Sequence, residues 1–250
     1  METDVYRLVH ELACQHWWFR GREAVITALL GKVELPERPR VLDAGCGAGQ
    51  NMQLYSRLGA TEGFDPSPEA VAYCRRRGLD NVRQGTMEEI PFEASSFDLL
   101  TATDVLEHVA DDGRGMRDLS RVAAPGASLI LTVPAYGWMW TDEDVRLGHM
   151  RRYTRPALRA LVRRNGWEPT FDTYFNTVLL APIAIARKLR QSLGSRESAE
   201  LALTPRALDE LLSLPMRLEA RLIAAGLSIP AGVSVGLVCR AAWSPRSQTQ

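Results

Sequence analysis

The spacing of apolar positions divides the chain into three stretches. Residues 5–30 follow a helical period in two pieces that break near Gly21, with the aromatic cluster His16-Trp17-Trp18-Phe19 at the joint. The segment Glu34-Leu35-Pro36-Glu37-Arg38-Pro39 then punctuates the chain. Beyond it, short apolar runs alternate with helical spacing. Arg40–Asp43 reads as a strand that ends in glycines, Asn51–Leu58 as a helix, and Thr61–Phe64 as a second strand. A helix over Pro68–Arg77 stops at Gly78, and Asn81–Gln84 and Phe97–Ala102 follow as strands. Asp112–Ala123 is a helix stopped by Pro125-Gly126, Ser128–Val133 is a fifth strand, and Thr154 opens a helix with Pro156 in its first turn. Such alternation predicts an open, mostly parallel sheet with helices on both faces.

The last third departs from this rhythm. Trp167–Phe175 reads as a sixth strand and Val233–Ala241 as a seventh, separated by mostly helical residues over Asn176–Gln191 and Pro205–Ala225. That segment is an insertion, because the final strand must return to the sheet. The expected organisation is one domain over 1–250. It comprises an N-terminal helical lid (1–35), a core (36–175), a helical insertion (176–232), and the last strand with a tail (233–250).

Composition narrows the function. Thirty basic residues balance thirty acidic ones among 250, so no global field draws nucleic acid or an anionic membrane. Cys14, Cys46, Cys74 and Cys239 form no CxxC pair and have no histidine at ligand spacing. Neither a metal site nor a disulfide framework is expected, and free thiols fit a reducing cytoplasm. The polar N-terminus is not a signal peptide. The longest apolar run, Val178–Ala186, is interrupted by Pro182 and falls far below the ~20 residues of a spanning helix.

The candidate chemistry starts at Val41-Leu42-Asp43-Ala44-Gly45-Cys46-Gly47-Ala48-Gly49, where a strand gives way to a helix. Glycines there let the backbone approach a ligand, and the helix start offers unpaired N–H groups. Sixteen residues after Gly49, at the end of the next strand, stands Asp65, placed to accept both hydroxyls of an adenosine ribose. The G-x-G-x-G spacing differs from the G-x-G-x-x-G of dinucleotide binders. Asp43, two residues before the first glycine, is placed to bind the ammonium of a methionine tail, directly or through water.

These residues resemble the first motif of the class I S-adenosylmethionine-dependent methyltransferases. Gly63-Phe64-Asp65-Pro66-Ser67 is similar to their second motif. Gly85–Phe92, Ser96–Leu100, Asp104–Val109 and Arg121–Ala127 continue the likeness to the small-molecule branch, which includes ubiquinone- and menaquinone-type enzymes. The resemblance covers roughly residues 38–135. It implies a Rossmann-like, doubly wound α/β fold of seven strands, S-adenosylmethionine as methyl donor and S-adenosylhomocysteine as product. It further implies that Gly45, Cys46 and Gly47 cradle the cofactor, that Asp65 holds the ribose and that Pro66 walls it. Thr86 and Met87 would flank the adenine, and Thr103 and Asp104 would line the cleft. Many relatives carry an acidic residue where this chain has Thr86, so the adenine amino group would pass to the Thr86 hydroxyl, to backbone or to Glu88.

For the acceptor side, His108 is the first candidate for a base or substrate orienter, with Glu107 a structural neighbour. After the fifth strand, Tyr136-Gly137-Trp138-Met139-Trp140 and His149-Met150-Arg151-Arg152-Tyr153 offer aromatic walls and further bases. Tyr136, Trp140 and Arg152 are the expected substrate contacts, and His149 and Tyr153 join His108 as catalytic candidates; packing and solvated charge are the competing readings. Trp18 and Arg20 are candidate lid residues over the cofactor, a sulfonium being attracted to an aromatic face and its carboxylate to a guanidinium. The apolar stretch Val178–Ala186 with its basic end suits a membrane surface, a lipophilic substrate, a buried helix or a homodimer interface.

The expected activity is therefore methyl transfer to oxygen, nitrogen or carbon of a small-molecule acceptor, in the cytoplasm and with no metal. A peptide or lipophilic acceptor is the nearer alternative. A nicotinamide dehydrogenase or a non-catalytic cofactor-binding scaffold is the alternative from another class. Thr103-Asp104-Val105-Leu106 lacks the Pro-Pro-aromatic motif of amino-group base methylation, so a nucleic-acid substrate is not expected.

Overall fold

The computed structural model describes residues 16–178, 180–182, 185 and 206–242. Seven strands form one sheet in the order β3-β2-β1-β4-β5-β7-β6. They are β1 Arg40–Ala44, β2 Ala60–Asp65, β3 Val82–Gln84, β4 Phe97–Thr103, β5 Ala123–Pro134, β6 Trp167–Phe175 and β7 Ser234–Ala241. β1 pairs in parallel with β2 and β4, whereas β7 lies antiparallel between β5 and β6. The expected α/β sheet is observed.

Because side chains alternate across a strand, adjacent apolar residues feed opposite layers. Leu42, Leu100, Leu131 and Leu237 face a core built with Met116 and Leu119 of α4 (Asp112–Val122) and Leu158 and Val162 of α6 (Arg155–Arg164). Val41, Leu99, Ile130 and Val238 face the other core, closed by Val25, Ile26 and Leu29 of α1 (Trp17–Leu30) and by Met216 and Ile223 of α7 (Arg206–Ala224). The N-terminal helix is thus a layer of the fold.

Local expectations are corrected in four places. α1 runs through Gly21 without a break; a side chain there would meet Met216 Sδ at 2.6 Å, so this glycine permits close contact with α7. The expected helix over Asn51–Leu58 shrinks to α2, Met52–Tyr55. Pro125-Gly126 lies inside β5, at the register shift opposite Phe97–Leu99, and α4 has already ended at Val122. A helix absent from the sequence reading, α5 (Asp142–Leu147), is set by a capping box between Thr141 and Asp144 and by left-handed Gly148. A further helix, α3, spans Pro68–Arg76.

The expected helices before residue 16 and over 186–191 lie outside the described residues, as does Pro205. The inserted α7 is tied to the sheet by Glu219, whose carboxylate accepts the Asn176 and Thr177 N–H groups at 2.5 and 2.8 Å. Among the described residues, no helix is long and apolar enough to cross a membrane.

Candidate cofactor and acceptor site

The glycine turn takes its shape from three left-handed residues, Gly45, Gly47 and Gly49, at φ of 67°, 54° and 75°. At Gly45 a Cβ would lie 2.6 Å from Val105, so the turn hugs the segment after β4. Asp65, at the end of β2, accepts the Gly47 N–H at 2.9 Å and the Ser67 N–H at 3.0 Å. These bonds fix the carboxylate and leave each oxygen further lone pairs. Burial raises its pKa, and the two backbone donors work against that rise.

Asp43 is 1% exposed. Its Oδ1 accepts the Thr101 hydroxyl at 3.1 Å, and its Oδ2 is buried with no partner. Burial pushes its pKa up to about 7, against the Thr101 bond and the Arg22 charge. An unpaired, buried carboxylate oxygen beside a glycine turn suits an ammonium, as the cofactor's methionine end requires. The residues present fit S-adenosylmethionine on this ground.

Arg22 is a residue that the sequence reading missed. From α1 it donates to Asp104 Oδ2 at 2.7 Å and to Thr103 Oγ1 at 3.4 Å. Asn51 also donates to Thr103, at 3.0 Å, and Thr132 donates to Asp104 Oδ1 at 3.0 Å. Asp104 itself is left-handed, at φ 58°. Arg20, two residues earlier on α1, lines a cavity of about 150 Å³ together with Arg22, Gln50 and Asn51. The larger cavity, about 500 Å³ between α4 and α6, is remote from the turn, so size does not mark the site. Helical position is the signal that could have found Arg22, since it stands beside Val25 and Ile26 on the turn that faces the sheet.

The other expected cofactor residues divide. The Cys46 side chain packs with Met52, Val71 and Cys74, leaving only its backbone at the turn. Met87 is buried in the core, whereas Thr86 and Pro66 are exposed at the strand ends. Trp18 is half-buried and packs on the α1 core beside Trp17.

Beyond β5 the acceptor candidates do converge. The His108 and His149 rings meet edge to face, with centroids 4.7 Å apart. His149 Nδ1 lies 2.8 Å from Asp144 Oδ1, which also accepts Arg152 Nε at 2.8 Å. With Asp144 on Nδ1, His149 keeps Nε2 as its basic nitrogen. Burial alone would raise the Asp144 pKa, but the His149 bond and the Arg152 charge hold it well below the usual carboxylate range. His108 is pushed below the ordinary histidine value by partial burial and then by the His149 ring. Glu107 is 1% exposed, has an unpartnered Oε2, and is held toward the neutral acid by burial and by Asp104.

Ligand atoms of Glu107, His108 and His149 all lie within 4.8 Å of one another, a grouping that could hold a metal ion. The sequence reading expected no metal ligands. It missed this set because His149 is distant along the chain from the Glu107-His108 pair.

Two expected participants have other commitments. The Arg152 side chain, 9% exposed, is locked to Asp144 and to the Ala135 carbonyl. The Tyr153 hydroxyl donates to Asp112 Oδ2 at 2.9 Å, and burial raises its pKa far above the phenol range. Both side chains are hydrogen-bonded to carboxylates of other segments. Tyr136, left-handed at φ 59°, stacks between Trp138 and Tyr174 at 5.6 and 5.2 Å, and Trp140 is half-buried next to them.

Comparison with known proteins agrees with this geometry. Residues 42–131 match the family described as "Methyltransferase domain". The chain is 35% identical over 136 residues to a ubiquinone biosynthesis O-methyltransferase of Methylocella silvestris, covering 50% of this chain and 53% of that one. A protein of the same name from Hahella chejuensis is 38% identical over 100 residues, covering 37% and 42%. The chain thus spans about half the length of the curated relatives it matches. An S-adenosylmethionine-dependent methyltransferase structure from Thermotoga maritima superposes with a TM-score of 0.59 at 19% identity, over 94% of this chain and 97% of that one. The Haloferax volcanii complex of the Trm112 activator with a methyltransferase gives 0.63 at 17% identity, over 97% of both chains. At these identities the structures speak for the fold alone. Over residues 42–131 the chain is therefore similar to the methyltransferase-domain family, and its fold is that of methyltransferase structures.

Proposed function

We propose that this chain transfers a methyl group from S-adenosylmethionine to a hydroxyl of a small-molecule acceptor. The observation that carries the donor is the buried, unpartnered Oδ2 of Asp43 beside the left-handed glycines. When bound, the cofactor supplies a methyl group already activated on a sulfonium. Asp43 would take its amino group, Asp65 its ribose hydroxyls, and Arg22 its carboxylate. Asp104 would orient Arg22 through their 2.7 Å bond.

The acceptor reading rests on the histidine pair. Methylation of a hydroxyl needs a base, because the oxygen must lose its proton as it attacks. His149, held by Asp144, presents Nε2, and neutral His108 stands against it. One of the two would accept the proton, and Asp144 would stabilise the imidazolium. The name of the Methylocella silvestris relative supports oxygen as the methylated atom. Exposed Trp138, Val145, Leu147 and Met150 along the same loop and helix suit an acceptor with an apolar body.

The test has two parts. Titration calorimetry with S-adenosylhomocysteine and with NADH should show binding of the former only; binding of NADH alone would sink the donor assignment. With a phenolic acceptor panel, His108→Ala and His149→Ala should retain cofactor affinity while turnover falls, by about 100-fold for the true base. If both variants keep full activity, neither histidine is the base.

A further inference from the structure

Helix α7 is apolar on two opposite faces. One face, with Met216, Ala220 and Ile223, is buried against α1 and the sheet. On the other, Leu211, Leu214, Leu218 and Leu222 are 61%, 53%, 58% and 39% exposed. Their spacing of three, four and four residues confines them to one stripe, an arc of about 80° at 3.6 residues per turn. The spacing is that of a helix-pair seam, and exposed apolar patches of this kind mark interaction sites.

We propose that this stripe binds a second copy of the chain, with the two α7 helices antiparallel across a two-fold axis. Charge decides both the occupant and the direction. The exposed charged residues Glu210, Arg217 and Arg221 all lie along the same flank of the stripe. Antiparallel pairing sets like flanks together. Leu211 then sits in register with Leu222 of the second copy, and Leu214 with its Leu218, in four layers. In that register Glu210 approaches the second copy's Arg221, and two-fold symmetry repeats the contact. Arg217 falls near the axis, where its long stem lets the guanidinium reach water. Parallel pairing would set this flank against one that carries Pro215, Leu212 and Glu219, whose buried carboxylate already accepts the Asn176 and Thr177 N–H groups. The leucine seam supplies attraction, and the charges supply direction.

Sedimentation equilibrium of the full chain over about 1–100 µM tests the proposal. The expected result is a dimer that the double variant Leu214→Glu/Leu218→Glu converts to monomer, with helical circular dichroism and S-adenosylhomocysteine affinity unchanged. Glu210→Arg should weaken the dimer at least about tenfold, and adding Arg221→Glu should restore it. A wild-type monomer across the range overturns the proposal, whether the stripe is then found to bind vesicles or the chain's own preceding residues. So does a dimer indifferent to the leucine substitutions.

Discussion

The two halves of the sheet's carboxyl edge handle buried charge differently. Around the glycine turn, Asp43 has a bare oxygen, and Asp65 is fixed by two backbone donors while keeping lone pairs to offer. Beyond β5, Asp144 is saturated by His149, Arg152 and Thr141, and Asp112 by Tyr153 and Arg151. A buried polar atom without a partner costs about 1–3 kcal/mol, which a complementary ligand can recover. A saturated cluster offers a ligand little and stiffens the scaffold instead. The first half therefore leaves carboxylate atoms open to a ligand, and the second is largely saturated, Glu107 Oε2 excepted.

The contrast breaks most visibly at Asp144. Asp144→Ala leaves Arg152 buried without its counter-charge and should lower unfolding free energy by about 3 kcal/mol, read by urea denaturation. Its depressed pKa adds a sign. The stabilisation should be complete above the ordinary carboxylate range and vanish as pH falls through the folded value. A variant as stable as the parent would show that the cluster is not structural.

On the binding side, Asp65→Ala should weaken S-adenosylhomocysteine at least about tenfold, or roughly 1.4 kcal/mol, with little loss of stability. An unchanged dissociation constant would refute the ribose role.

Asp43 gives a pH test of the same half. With its pKa near 7 in the free protein, it must ionise to pair with an ammonium. Cofactor binding should therefore release protons below that pH and weaken by up to about tenfold from pH 7 to pH 6. Calorimetry in buffers of different ionisation enthalpy would detect this, and Asp43→Asn should abolish the dependence. Binding with no proton release at pH 6 would remove Asp43 from the ammonium site.

The smallest effect belongs to Trp138, which is 64% exposed. Trp138→Ala should change stability by no more than about 0.5 kcal/mol while raising the KM for an apolar acceptor. Destabilisation well beyond that would make the aromatic stack part of the core.

What the sequence by itself determined is whatever depends on neighbours along the chain. The strand-to-turn step at Asp43–Gly49, Asp65 at the next strand end, and the β/α alternation are local patterns, because backbone conformation and alternate burial are set within a few residues. Tertiary structure decided what depends on meeting across the fold. Arg22 reaches Asp104 only because α1 packs on the sheet and turns that residue toward it. Gly21 looks like a helix breaker until Met216 is seen to fill its space. Arg152 and Tyr153 find their partners, Asp144 and Asp112, on other segments. Charge pairing and close packing act through space, over contacts that no local spacing encodes.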